Sequence, residues 1–209
     1  MNTLQKIRFL WKPVVFLLCL IPAILVVTDA FEITGRLGAN PIEEIQDRFG
    51  YWALRFVMIT LAVTPLRRMT GWNWLSRFRR MLGLFTFFYA LMHFLTWLIL
   101  DRELRLSDIV EDLTERPFIT LGFAAIVLLT ALAITSFTAL RRRMGRNWQT
   151  LHNAIYLIAI LGVWHYWWQV KKDVTEPLIY AAVLAALLII RIFWRWRHKK
   201  TPTQPRRRR

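Results

Sequence analysis

The sequence predicts an all-α integral membrane protein, a six-helix bundle with its N- and C-termini in the cytoplasm. Hydrophobic residues occupy 56% of the 209 positions and aromatic residues 14%, which exceeds the apolar content of ordinary soluble domains. The net charge of +16 is divided among short clusters between long apolar segments, as is typical of membrane proteins. A nucleic-acid-binding protein would gather its basic residues in one patch on a polar fold, so no nucleic-acid partner is expected.

Six apolar segments are each long enough to cross a hydrocarbon core of roughly 30 Å. They lie near residues 10–30, 49–66, 81–100, 117–140, 148–168 and 177–194. The first lacks a following small-x-small cleavage site, so it predicts a span and not a removable signal. We expect one membrane domain over residues 1–197 and a basic, disordered cytoplasmic tail over 198–209 that lies against anionic lipid.

The connections between the spans differ in charge on the two sides of the membrane. The N-terminus, the second–third connection, the fourth–fifth connection and the tail carry basic residues without any acid. All 13 acidic residues lie at the opposite ends of the spans, in or beside residues 31–48, 101–116 and 169–176. The positive-inside rule therefore places both termini in the cytoplasm of a multi-pass membrane protein.

Ionisable side chains within spans are costly and are therefore candidates for function. Here they are Arg55, His93, His152, His165 and, near a helix end, Arg191. His93 on the third span lies about 12 Å below the outer end, and His165 on the fifth about 9 Å below it. Two histidines at one depth on two helices can ligate one haem iron from both sides. The alternative for a buried histidine is an interhelical hydrogen bond.

Arg55 lies about 10 Å below the outer end of the second span. A buried arginine is a suitable partner for a haem propionate. The alternative is that its side chain extends outward to the lipid headgroups. The spacing favours neither alternative.

His152 lies near the inner end of the fifth span, roughly 20 Å along the axis from His165, so one iron cannot contact both. The positions at the matching depth on the third span are Arg79 and Arg80, which suit anionic groups better than iron. The inner side is therefore expected to hold an anionic cofactor, a haem with incomplete ligation, or a histidine that only makes a hydrogen bond.

Three segments resemble the MsrQ family, also called YedZ. They are LAVTPLRR (61–68), RRMLGLFTFFYALMHFLTW (79–97) and NWQTLHNAIYLIAILGVWHYWWQVK (147–171). The resemblance covers about residues 5–197 and extends to the wider ferric-reductase-like transmembrane group, which holds haem between its third and fifth helices. It implies that His93, His152 and His165 match the family histidines.

The resemblance implies a specific function, which the spacing of the histidines and arginines alone does not indicate. MsrQ-like proteins take electrons from the quinone pool or a cytoplasmic flavin reductase. They pass them through b-type haem to MsrP, a periplasmic molybdenum enzyme that reduces methionine sulfoxide in oxidised envelope proteins. The resemblance thus implies haem b, an MsrP-like partner and a location in the bacterial inner membrane.

The resemblance also implies FMN as a second cofactor, near His152 and the inner arginines. The family pattern there is Leu-His-Arg, whereas this chain has Asn153 after His152. An anion contact from that arginine is therefore missing or comes from Arg79, Arg80 or Arg146.

The combined prediction is an electron-transfer subunit of an oxidoreductase, and not its catalytic subunit, with one haem or two. The nearest alternative is a self-sufficient haem-dependent reductase of ferric iron or quinone. A second alternative is a cofactor-free scaffold or transporter, with Arg55 and the histidines lining a polar path. Against a transporter, the sequence shows no repeated half and no paired broken helices.

Overall fold

The computed structural model describes residues 3–170 and 173–199, which form helices joined by loops and turns, with no strand within these ranges. The helices are α1 (Lys12–Ala30), α2 (Pro41–Thr70), α3 (Arg79–Leu95), α4 (Leu106–Glu115), α5 (Pro117–Ile134), α6 (Thr138–Met144), α7 (Arg146–His152), α8 (Ala154–Gln169) and α9 (Thr175–Lys199). Shorter helical turns precede α1 at Thr3–Lys6 and Ile7–Trp11, follow α2 at Asn73–Arg77, and extend α3 at Thr96–Asp101. The all-α fold class is confirmed.

Five helices within the described ranges are long and apolar enough to cross a membrane. They are Ile7–Ala30, Pro41–Thr70, Arg79–Asp101, Pro117–Ile134 and Thr175–Arg197. The predicted span 148–168 is covered by α7 and α8 together, which are separated at Asn153. Residues 200–209, most of the predicted disordered tail, lie outside the described residues, so that expectation stays a prediction.

The second span begins earlier than the apolar pattern predicts, because its first turn is polar. The side chain of Asn40 accepts a hydrogen bond from the backbone N–H of Glu43, and Pro41 occupies the first helical position, where its missing N–H costs nothing. The helix ends at Gly71, whose φ of 74° is the left-handed conformation that glycine adopts at helix C-termini.

The fourth span ends at Ile134, before the predicted boundary at residue 140. The hydroxyl of Thr135 donates to the carbonyl of Ala131 (2.7 Å), and that of Ser136 donates to Leu132 (2.8 Å). Such back-bonding satisfies the last carbonyls of a helix without further helical turns. The chain then turns at Phe137, whose ψ of 140° is extended, into the basic helix α6.

The helices pack around two apolar cores. One lies between α2, α5, α8 and α9, and the other between α1, α2 and α3. The bundle has two chemically different ends. The acidic end is formed by residues 31–48, 101–116 and 173–176, and the basic end by residues 67–80, 138–148 and 191–197.

Tyr89 of α3 connects the first helix to the bundle. Its side chain is fully buried; its hydroxyl donates to the carbonyl of Cys19 (2.6 Å) and accepts from the backbone N–H of Ala23 (3.1 Å). In an uninterrupted helix these two backbone groups would bond to each other. Pro22 lies between them, and the tyrosine hydroxyl occupies the gap.

Candidate functional site

His93 and His165 lie next to each other between α3 and α8. Their ring centroids are 6.0 Å apart and the rings are inclined at 80°. Both side chains are partly buried. The structure thus brings together the two histidines that the sequence places at one depth on different helices.

Each imidazole is oriented by a backbone carbonyl of the preceding span. Nδ1 of His93 lies 2.7 Å from the carbonyl oxygen of Gln46, and Nδ1 of His165 lies 2.6 Å from that of Phe118. A carbonyl oxygen only accepts, so each Nδ1 carries the proton and donates. Each Nε2 therefore keeps its lone pair, which is the state in which histidine ligates a metal.

A glycine lies against each imidazole. A Cβ atom on Gly50 of α2 would lie 2.9 Å from Nδ1 of His93, and a Cβ on Gly122 of α5 would lie 3.0 Å from Nδ1 of His165. Any side chain at either position would push the ring away from its carbonyl. The glycines therefore allow the rings to lie directly on the neighbouring helices.

These contacts occur twice in the chain with the same spacing. Each histidine is 47 residues from its carbonyl partner, and each glycine lies one helical turn beyond that carbonyl. The α2–α3 pair and the α5–α8 pair thus present equivalent contacts, Gln46, Gly50 and His93 in the first and Phe118, Gly122 and His165 in the second. The sequence does not mark this similarity, because two of the equivalent partners are backbone carbonyls, which do not depend on side-chain identity.

A cavity of about 480 Å³ surrounds the two histidines, within the usual size of cofactor sites. Its walls are largely apolar and include Leu54, Val57, Ile126 and Ile158. Towards the acidic end the lining becomes polar. The polar lining side chains there are Asn40, Glu43, Gln46, Asp47, Asp101, Arg102, Arg116 and Gln169.

Two arginines at the mouth of this cavity share one buried carboxylate. Nε of Arg102 lies 2.6 Å from Asp112 Oδ2, and Nε of Arg116 lies 3.2 Å from Asp112 Oδ1. The indole N–H of Trp97 also donates to Asp112 (3.2 Å). Neither arginine stands out in the sequence, because both lie in a segment rich in acids and outside the apolar spans.

The donor set fits a haem better than a bare metal ion. Among the described residues, no group of three or more His, Cys, Asp or Glu side chains is placed to hold a metal. A haem supplies four ligands of its own and needs only two axial ones. If His93 and His165 held one haem iron, their centroids would be about 6 Å apart, because each metal–nitrogen bond would be about 2 Å and each centroid about 1 Å further. The centroid separation of 6.0 Å is compatible with that fit.

Arg55 does not line this cavity. Its Nε donates to the hydroxyl of Tyr180 on α9 (3.1 Å), and its guanidinium lies over the ring of Trp52 at 4.9 Å. The predicted role of Arg55 as a partner of a haem propionate is therefore not supported by any contact between Arg55 and the histidine cavity. Arg102 and Arg116 are the arginines that do line it.

His152 lies apart from the other two histidines, at the basic end. Its Nε2 is 3.1 Å from the hydroxyl of Thr135, and its ring stacks on Trp148 with centroids 4.0 Å apart. The charge of Arg79 acts on His152, whereas Arg80 is exposed. Of the two arginines predicted beside this histidine, Arg79 is therefore the one whose charge acts on it.

Residues 49–163 match a family described as the ferric reductase like transmembrane component. The chain is 54% identical over 187 residues, 88% of its length and 85% of the relative's, to the protein-methionine-sulfoxide reductase heme-binding subunit MsrQ of Ralstonia nicotianae. It is 50% identical to the MsrQ of Herminiimonas arsenicoxydans, over 81% of this chain and 79% of that protein. It is 51% identical to the MsrQ of Xanthomonas euvesicatoria, over 79% of this chain and 76% of that protein.

The fold and the matched region define a ferric-reductase-like transmembrane protein of the bacterial inner membrane, with several spans. Within that class, the chain belongs to the MsrQ family. The resemblance seen in the sequence is confirmed. Membership of this family indicates a role in membrane electron transfer.

Proposed function

We propose that this protein binds b-type haem between His93 and His165 and passes electrons through it across the membrane. The observation that carries the proposal is the matched pair of imidazoles, each with Nδ1 donating to a carbonyl, so that the lone pair of the neutral ring lies on Nε2. The relatives are named as heme-binding subunits, which supports the same reading. A bound haem supplies one-electron redox chemistry.

The chain's own groups position and tune this site. The carbonyls of Gln46 and Phe118 hold the Nδ1 protons, which fixes the ring orientation and increases the basicity of Nε2. The apolar walls exclude water. Arg102 and Arg116 at the mouth present guanidinium groups suited to anionic carboxylates such as propionates.

The direction of transfer follows from the charge of the two ends. With the basic end in the cytoplasm, both termini lie there and the histidine cavity opens towards the periplasm. Electrons then enter from the quinone pool or a cytoplasmic flavin reductase and leave towards an MsrP-like molybdenum reductase. The relatives are named as subunits of a protein-methionine-sulfoxide reductase, which supports this partner. The acidic loops 31–48 and 101–116 would steer its docking.

FMN is proposed as a second cofactor near His152, at the entry side. The charges of Arg79 and Arg141 act on this histidine, and Trp148 offers a flat aromatic face beside it. Arg80 and Arg146 are further candidates for the phosphate. A second haem held by His152 is the competing proposal.

The experiment that tests the function is a reduced-minus-oxidised visible spectrum of the purified protein, with haem counted per chain. We expect a low-spin b-type spectrum near one haem per chain, and its loss in His93→Ala and in His165→Ala. Retention of the full spectrum in either variant would overturn the assignment. Activity of the pure protein on ferric iron or quinone without a molybdenum partner would instead favour the self-sufficient reductase, and a colourless protein the scaffold or transporter.

A further inference from the structure

A second cavity lies at the basic end, between α2, α8 and α9. Its volume is about 700 Å³, and it shares no lining residue with the histidine cavity. Three of its lining side chains are arginines, Arg68, Arg191 and Arg195. It plays no part in the proposed haem site.

The guanidinium of Arg191 is held in place by two hydrogen bonds, and one of its N–H donors has no partner in the part of the chain that the structure describes. It donates to the hydroxyl of Tyr156 (2.6 Å) and to the carbonyl of Leu61 (2.5 Å). Its Nε is buried and has no hydrogen-bond partner among the described residues. A buried donor without a partner costs free energy, and the guanidinium of Arg191, which lines the cavity, would be stabilised by an anion there through its charge.

No acidic residue of the chain is available to neutralise these arginines. The sequence has no Asp or Glu in residues 48–100, in 117–172 or after Glu176, and none lines this cavity. Arg68 and Arg191 line the same cavity, and the charges of Arg79 and Arg68 both act on Arg191, so these guanidinium groups repel one another. Like charges in a partly buried cavity favour the binding of an external anion.

The side of the cavity formed by α9 is apolar and open. Leu188, Ile192 and Trp194 line it, and the neighbouring Ile189 and Phe193 are 64% and 55% exposed. On a membrane-spanning helix such exposed apolar residues face acyl chains. A ligand that combines an anionic phosphate with a hydrocarbon tail matches both parts of the cavity.

We propose that this cavity binds the phosphate of an acidic phospholipid, with Arg68, Arg191 and Arg195 around the headgroup and an acyl chain along α9. Basic pockets between membrane helices are suited to such headgroups. The lipid neutralises the arginine cluster and joins α2 to α9 at the basic end.

The test is a thermal unfolding titration of the delipidated protein in neutral detergent. The probes are phosphatidylglycerol, phosphatidylcholine with the same acyl chains, inorganic phosphate and FMN. The test variant is Arg68→Gln with Arg195→Gln, which leaves the contacts of Arg191 with Tyr156 and Leu61 intact. The matched control is Arg142→Gln with Arg143→Gln, which removes the same charge from exposed positions at the same end.

We expect phosphatidylglycerol to raise the unfolding temperature of the unsubstituted protein, because a ligand of the folded state stabilises it. Phosphatidylcholine should require at least about tenfold more lipid for half of the effect, and the test variant about tenfold more phosphatidylglycerol. The control should stay within about twofold of the unsubstituted protein.

Equal weakening of test and control variants would overturn the proposal in favour of diffuse attraction between the basic end and anionic lipid. Equal responses to the two lipids would overturn it as well. If FMN or inorganic phosphate raises the unfolding temperature fully at a lower concentration than phosphatidylglycerol does, the ligand is a soluble anion. That result would overturn the lipid proposal. Haem per chain, measured on the same samples, reports separately on the proposed function.

Discussion

The histidines at the two ends of the bundle are held in opposite ways. At the acidic end, His93 and His165 donate from Nδ1 to carbonyls and leave Nε2 free. At the basic end, the Thr135 hydroxyl donates to Ala131 (2.7 Å) and therefore accepts from Nε2 of His152. The lone pair of the neutral ring therefore lies on Nε2 in His93 and His165 and on Nδ1 in His152, so the two ends of the bundle offer different ring nitrogens to a ligand.

The packing around the imidazole rings also differs between the two ends of the bundle. Glycines leave room for His93 and His165, whereas His152 is stacked on Trp148, which Arg141 covers at 4.8 Å. When the α5–α8 pair is aligned with the α2–α3 pair so that His165 matches His93, the position that matches His152 is Arg80. The two halves therefore build one paired site at the acidic end and an unpaired, positively charged one at the basic end.

The largest effect is expected from placing a methyl group against either ring. Gly50→Ala and Gly122→Ala should each reduce haem per chain several-fold or change the low-spin spectrum, because the new Cβ would overlap Nδ1 of the histidine. Gly83→Ala is the matched control, since its Cβ would meet only Thr60 Cγ2 at 3.9 Å. Normal haem and spectrum in both test variants would show that the glycines do not position the rings.

A smaller effect is expected at the mouth of the histidine cavity. Asp112→Asn should lower the free energy of unfolding by about 2 kcal/mol, because it removes a buried charge that faces Arg102 and Arg116. Chemical unfolding in detergent, followed by tryptophan fluorescence, measures this. Glu115→Gln, an exposed change on the same helix, should stay within about 0.5 kcal/mol, and an equal loss in both would argue against a special role for Asp112.

Thr135→Val tests the hydrogen bond at the other end. Removal of the acceptor leaves Nε2–H of His152 unpaired and should cost about 1 kcal/mol of unfolding free energy. Thr130→Val is its control, because Thr130 makes the same back-bond on α5, to Ile126 at 2.8 Å. If the two variants unfold alike, the contact with His152 does not contribute to stability.

The smallest effect on haem is expected from His152→Gln. Because His152 lies apart from the His93–His165 pair and its ring stacks on Trp148, this variant should keep the haem per chain and the spectrum of the unsubstituted protein. Loss of about half of the haem would reveal a second haem at the basic end and would remove the contrast between the two ends. Flavin content, measured on the same sample, tests the FMN proposal.

Much of the fold could be predicted because a bilayer restricts what can cross it. Long apolar segments and one-sided acids marked the spans, and the depth of His93 and His165 marked the pair. The carbonyls of Gln46 and Phe118 could not be predicted, since every residue has one and only packing selects it. The same holds for Thr135 as the partner of His152, and for Arg102 and Arg116, whose role depends on the fold of a loop.

The hydroxyl of Tyr89 between Cys19 and Ala23 has a consequence for assembly. Most of α1 presents apolar side chains, which pack almost equally well at several heights along a neighbouring helix. A shift of one turn would leave two backbone groups and a hydroxyl without partners in hydrocarbon, at several kcal/mol each. The first helix can therefore insert freely but has a single vertical register in which it docks.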